Sequence, residues 1–221
     1  MDKTRTAFVT DFDGTITDDD FFQYVTDAFL DEDALEPWRL YLAGRLTHFE
    51  ALRRIYGSLR AGEDEMAALL ATVRVDADVM PTFERLRGVG IPVVIASAGC
   101  DFYINALLGN EIRRLGIGLV TNPSRYSRKN GLVMERLPEA SPFRDEDVGI
   151  SKAQVVAGLR DDGFRVVFAG DGPPDIEPAR IADAVFARGR LLDLCAAEGI
   201  ATERFGGYAD IRGYFEGILA K

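Results

Sequence analysis

The chain has 221 residues, 47% of them apolar and 28% charged, a balance expected of an ordinary globular fold with one core, or one core and a small insertion. A count of 26 basic against 36 acidic residues gives a net charge of −10, which disfavours nucleic acid or an anionic membrane as partner through a general field, so any phosphate group must be held locally. No stretch approaches the roughly 18 apolar residues of a membrane span, residues 1–5 read as the lead into a strand rather than a signal peptide, and Cys100 and Cys195 form neither a CxxC pair nor a disulfide framework, so a cytoplasmic location is expected.

The first predicted element is the buried strand Ala7-Phe8-Val9, and after one threonine comes Asp11-Phe12-Asp13-Gly14-Thr15. Side chains alternate along a strand, so Asp11 and Asp13 are expected on one side, about 7 Å apart if the strand stays regular. Gly14 permits a sharp turn beyond them. Two like charges beside an apolar sheet raise each other's pKa and cost several kcal/mol unless a cation or a shared proton relieves them. An Asp-Gly turn explains one acid; Mg²⁺, held by one or two carboxylates plus phosphate oxygens, explains both.

Residues 18–76 show no strand but four apolar clusters at helical spacing: Phe21, Phe22, Tyr24, Val25, Phe29 and Leu30; Trp38, Leu40, Tyr41 and Leu42; Phe49, Leu52, Ile55 and Tyr56; Met66, Leu69 and Leu70. They predict a small helical bundle inserted after the first strand, its aromatics forming bundle core and its position near the acids suiting a lid. The single histidine, His48, excludes a multi-histidine zinc site and two-histidine phosphatase chemistry. It is expected on the surface at a helix start, with Thr47 as N-cap and Glu50 closing a capping box.

Further apolar runs at 91–96, 118–120, 166–169 and 184–187 alternate with helical stretches at 81–88, 152–160 and 175–181. That alternation predicts an α/β fold: a doubly wound, Rossmann-like parallel sheet buried on both faces. Such sheets bind ligands at the carboxyl ends of their strands. Residues 122–147 depart from the pattern, and Asn130-Gly131 signals a hairpin turn.

Three more segments sit where such a sheet gathers its functional groups. Ser97, Ala98 and Gly99 end a strand with a hydroxyl and small residues that let backbone N–H groups approach an anion. Lys152 lies in the first turn of a helix capped by Ser151, where a cation opposes the helix dipole unless an anion is bound. Ala169-Gly170-Asp171-Gly172-Pro173-Pro174-Asp175 ends a strand with two acids. Singly, Ser97 reads equally as a turn cap, Lys152 as a solvated lysine and Asp175 as a helix N-cap.

In order, DFDGT, Ser97, Lys152 and GDGxxD resemble the four-motif signature of the haloacid dehalogenase superfamily of aspartate-nucleophile phosphatases. The helical insertion resembles its phosphoserine phosphatase-like branch, with secondary likeness to the phosphatases of methionine salvage along Asp11 to Thr17 with Asp20, Arg54-Ile55-Tyr56-Gly57, Gly99 to Tyr103, and Asp175-Ile176-Glu177 continuing to Phe186-Ala187-Arg188. Asp20 stands where phosphoserine phosphatases have a substrate-binding glutamate, and Pro174 where their last motif has asparagine, which points away from phosphoserine. The resemblance implies a core of residues 1–17 and 77–221 with a helical cap of 18–76. It implies Asp11 as nucleophile, Asp13 as general acid and base, and Ser97, Ala98, Gly99 and Lys152 around the phosphate. It also implies Mg²⁺ at Asp11, the Asp13 carbonyl and Asp171, with Asp175 supporting. Asp20 and Arg54 are the candidates for reading the leaving group of a small phosphomonoester. A phosphoserine phosphatase and a receiver-like, non-catalytic phosphate-binding protein are the alternatives, and the oligomeric state is open.

Overall fold

The computed structural model describes residues 5–220; residues 1–4, and most of the expected lead into the first strand, lie outside the described residues. In chain order, β1 (Thr6–Thr10) is followed by α1 (Phe21–Phe29), α2 (Glu36–Leu42), α3 (His48–Gly57), α4 (Glu63–Leu70) and α5 (Val79–Gly88). Then come β2 (Val93–Cys100), α6 (Asp101–Leu115), β3 (Gly118–Asn122), the hairpin β4 (Ser124–Ser127) and β5 (Gly131–Met134), and α7 (Lys152–Asp161). The chain ends with β6 (Arg165–Gly170), α8 (Ile176–Ile181), β7 (Ala184–Ala187), α9 (Gly189–Glu198), β8 (Glu203–Arg204) and α10 (Tyr208–Leu219).

Six strands pair in the order β3-β2-β1-β6-β7-β8, all parallel. The sheet is buried on both faces because its strands are apolar at successive positions: Phe8 and Val167 enter one core cluster, Val9 and Phe168 the other. Phe8 meets Phe83, Tyr208 and Phe215 edge to face, burial worth about 2–3 kcal/mol for such a ring. The same packing braces the carboxyl end of β1. Thr10 Oγ1 donates to the Asp11 carbonyl at 2.8 Å, so the Tyr208 hydroxyl at 2.5 Å donates to Thr10.

Residues between β1 and α5 form the expected helices and return where they left. Thr17 pairs with Val75 in an antiparallel bridge, Asp76 N–H donates to the Ile16 carbonyl, and Asp18 N–H to that of Arg74. The hairpin braces this insertion: Tyr126 donates to the Ala61 carbonyl at 2.6 Å, and Leu132 and Met134 are buried.

Several elements differ from the sequence expectation. The second strand runs from Val93 to Cys100, not 91–96, its register shifting between Ser97 and Cys100 against β3. Such an irregularity bends the strand end and re-aims its side chains. Helices α6, α9 and α10 were not expected. Asn105, Gly109 and Asn110 dilute the first, Gly189 opens the second, and Gly213 and Gly217 interrupt the third, so packing of residues such as Tyr103, Leu191 and Phe215 overrides weak propensity.

Candidate active site

The sheet's order reverses at β1, from which the chain first builds outward through β2 and β3 and later through β6 and β7. Ligands bind at such a switch point. Asp11, Ser97 and Asp171 therefore emerge side by side from or beyond three adjacent strands.

Asp11 and Asp13 do not continue the strand, which ends at Thr10. The Phe12 carbonyl accepts from the N–H groups of Thr15, Ile16 and Thr17, closing a tight turn in which Gly14 has φ +66°. The regular 7 Å spacing is thereby replaced by two carboxylates with different partners in one cavity of about 280 Å³. Asp11 Oδ1 lies 2.7 Å from Lys152 Nζ, which also donates to Asp175 Oδ1 at 2.6 Å. Asp13 Oδ1 accepts the Phe21 N–H at 2.9 Å, and its Oδ2 accepts from the Tyr103 hydroxyl and, at 3.4 Å, from Ser97.

Asp175 is fully buried and acts on both sides. Its Oδ2 accepts the N–H groups of Asp171 and Gly172 at 2.9 and 3.0 Å, and its Oδ1 holds Lys152. The reading of Asp175 as N-cap of α8 is replaced by this role, since its side chain makes no cap bond to that helix and turns back to the Gly172 N–H instead. Lys152 is buried at the start of α7, where Ser151 caps as expected, and is not a solvated lysine. Arg188 ties the turn to β7, donating to the carbonyls of Gly14, Thr15 and Thr17.

The electrostatics follow from burial and crowding. Burial, then the charge of Asp175, hold Asp11 well above the usual carboxylate range, with Lys152 opposing. Burial and Asp175 push Asp171 up to about 7. Burial and Asp20 push Asp13 up to about 6, against hydrogen bonds from Tyr103 and Phe21. Burial works to lower the pKa of Lys152, but Asp11 and Asp175 outweigh it and raise it. Carboxylate oxygens of Asp11, Asp171 and Asp175 all lie within 4.8 Å of one another. An oxygen-only donor set with more negative charge than one lysine can balance fits a hard divalent cation.

The cap-side wall corrects three expectations. Phe22, Trp38, Tyr41, Leu42, Leu52 and Tyr56 line the cavity, so these side chains serve a ligand surface as well as bundle core. His48 lines it too, packed edge-on against Trp38 and Tyr41, and burial followed by the charge of Lys152 lowers its pKa to about 4. It is therefore no surface histidine, although Thr47 does cap α3 through the Glu50 N–H. Arg54 is exposed beside Glu50 and Arg53 in a separate shallow groove. Asp20 reaches the cavity; Arg54 does not.

Sequence reasoning gave no role to Tyr103, which it noted only within the Gly99 to Tyr103 likeness, and passed over Arg190; both line the cavity. For Arg190 the available signal was its place just past the carboxyl end of a predicted strand. Cys100 offers no nucleophile, since burial pushes its thiol up to about 12.

Compared with protein families, residues 8–180 match the haloacid dehalogenase-like hydrolases. The chain belongs to that family. Its similarity to a 2-hydroxy-3-keto-5-methylthiopentenyl-1-phosphate phosphatase of Exiguobacterium sp. is 26% identity over 216 residues, covering 96% of this chain and 98% of the relative. Pdp3-interacting factor 1 of Schizosaccharomyces pombe is 29% identical over 219 residues, covering 95% and 94%. A substrate-bound phosphoserine phosphatase complex superposes with a TM-score of 0.68 at 16% identity, over 95% of this chain and 98% of that one, a likeness of fold. In this haloacid dehalogenase-like hydrolase no helix among the described residues is long and apolar enough to cross a membrane.

Proposed function

We propose that the protein is a Mg²⁺-dependent phosphomonoesterase that hydrolyses a small phosphorylated metabolite through an aspartyl-phosphate on Asp11. The observation that carries this reading is Asp11 itself: Lys152 lies 2.7 Å from its Oδ1 and the residue lines the cavity, so we assign Oδ2 as the nucleophilic oxygen. In the first step the Asp11 Oδ2–P bond forms, the bond to the leaving alcohol breaks, and Asp13 gives that alcohol its proton. In the second, water attacks phosphorus, Asp13 takes the water's proton, and Asp11 is released. Asp13 suits both roles because its raised pKa of about 6 lies close to neutrality. Lys152 and the backbone N–H of Ala98 are assigned to the phosphoryl oxygens, while the Gly99 N–H is held by Ser97 Oγ at 3.0 Å and the Ser97 hydroxyl donates to Asp13.

The Mg²⁺ would be held by Asp11, the Asp13 carbonyl and Asp171. It would supply positive charge to the phosphoryl group. Asp175, both of whose oxygens already hold protein donors, would orient Lys152 and the Asp171 loop.

We assign residues 18–76 as a cap over a core of 1–17 and 77–221, a division supported by the neck at Thr17 and Val75. The cap presents Trp38, Tyr41, Leu42 and Leu52 to the leaving group. An apolar wall favours an alcohol with an apolar tail, as in 2-hydroxy-3-keto-5-methylthiopentenyl-1-phosphate, the substrate in the relative's name. Phosphoserine is the second reading, favoured by Arg190, a cation lining the cavity that suits a substrate carboxylate.

Phosphate release from p-nitrophenyl phosphate tests the class of reaction. Release should stop in chelator, return with Mg²⁺ and be poorly supported by Ca²⁺, whose larger and more flexible shell places the oxygens differently. Full activity in chelator would remove the metal, and no release under any condition would favour the non-catalytic alternative. A panel of phosphorylated metabolites then separates the two substrates.

A further inference from the structure

Asp13 has more donors than a single acid and base would need, and Tyr103 is one that none of the four motifs contains. A carboxylate offers about four acceptor sites, two on each oxygen. Tyr103 and Ser97 take two on Oδ2, and Phe21 N–H takes one on Oδ1. The site left open is on Oδ1.

The surroundings of Tyr103 are built for that contact. The residue lies in the first turn of α6 and is 1% exposed. Its ring stacks on Phe21 with centroids 4.2 Å apart and tilts against Phe12 at 5.8 Å. Its hydroxyl has no hydrogen-bond partner other than Asp13 among the described residues. Gly99 leaves the necessary room, because a Cβ there would lie 1.7 Å from the Tyr103 hydroxyl oxygen and 3.0 Å from Asp13 Oδ2. Gly99 at the end of β2, Tyr103 on α6 and Phe21 on α1 thus agree on one position for Asp13.

We infer that Tyr103 is a positioning residue for proton transfer: by occupying Oδ2 together with Ser97, it makes Oδ1 the oxygen that delivers the proton to the leaving alcohol and recovers it from water. This rests on the phosphatase reading above. The proton passes from Asp13 Oδ1 to the leaving oxygen as its bond to phosphorus breaks, and a proton of the attacking water restores it.

The test compares Tyr103→Phe, Asp13→Asn and the double variant in the full chain, on an alkyl phosphate and on p-nitrophenyl phosphate. Tyr103→Phe should lower kcat/KM on the alkyl ester by roughly 10- to 100-fold, part of what a general acid contributes. On the aryl ester kcat/KM should fall less than about threefold, since it reports only the steps through departure of the leaving group and that group departs without a proton, whereas kcat, which includes hydrolysis of the shared aspartyl-phosphate, should fall on both. In the double variant, loss of the hydroxyl should add nothing to loss of the acid. Tyr103→Met, which fills the space without a hydroxyl, repeats the comparison if the Phe variant melts early. Equal losses of kcat/KM on both esters in a folded variant, or additive losses in the double variant, would overturn the proposal. A wild-type chain inactive on both esters would overturn the phosphatase reading and this inference with it, whereas an Asp13→Asn variant that loses kcat/KM equally on both esters would overturn the role of Asp13 as the acid alone.

Discussion

His48 shows how one side chain can be read correctly in its local structure and wrongly in its setting. Thr47 and Glu50 announce a helix start, and the start is there. Nothing within five residues says that the helix turns its first residue toward the cavity, because that depends on which face of the insertion meets the core. The acids were easier to read, since Asp11, Asp13 and Asp171 follow apolar strands that have no structural use for them. Burial leads in lowering the His48 pKa to about 4, from an ordinary 6.5 that it regains on unfolding. Between those values the unfolded chain binds a proton that the folded chain does not, so stability falls as pH drops from about 6.5 to about 4 and is unaffected above. Stability of wild type relative to His48→Phe, from urea melts across pH 4–8, should therefore decline by up to about 3 kcal/mol toward the acid end. A pH-independent difference would mean that His48 is solvated.

At the scale of the element, helix α3 separates two expectations. His48, Leu52 and Tyr56 recur every four residues and line the cavity, while Arg54, about 200° around the helix from Leu52 and from Tyr56, faces away. Arg54→Ala should leave kcat/KM within about twofold for every substrate. Trp38→Ala should lower kcat/KM for a phosphate ester with an apolar tail by roughly 10- to 200-fold, the range for lost pocket contacts, and spare acetyl phosphate, which has no tail. Losses for Arg54→Ala confined to the tailed ester would return specificity to that residue. The helices of the insertion were legible because their apolar residues keep a 3.6-residue period through aromatics. Helices α6 and α10 were not, because glycine and asparagine interrupt a pattern that only tertiary packing completes. Strand β8 has two residues, too few for any alternation to show.

Across the whole molecule, the parallel sheet could be read from continuous apolar strands, and the order of the motifs along the chain indicated that their ends would meet. What a periodic pattern does not carry is the partner of an apolar face. The insertion's aromatics were therefore read as bundle core in preference to a ligand surface, although Trp38 and Tyr41 line the cavity that holds the acids. The fold explains the juxtaposition: the insertion leaves directly after the Asp11 turn and is tied back at Thr17 and Val75, which keeps its helices over the switch point. The central claim is that Asp11 becomes phosphorylated during turnover, and intact-mass analysis of protein quenched in acid during steady-state hydrolysis tests it directly. Wild type with Mg²⁺ and substrate should carry one phosphoryl group, mapped to Asp11 and removed by hydroxylamine, while Asp11→Asn should fold, carry none and lose at least about 1000-fold in kcat. Undiminished turnover by Asp11→Asn, or a phosphoryl group mapped to another residue, would contradict the account.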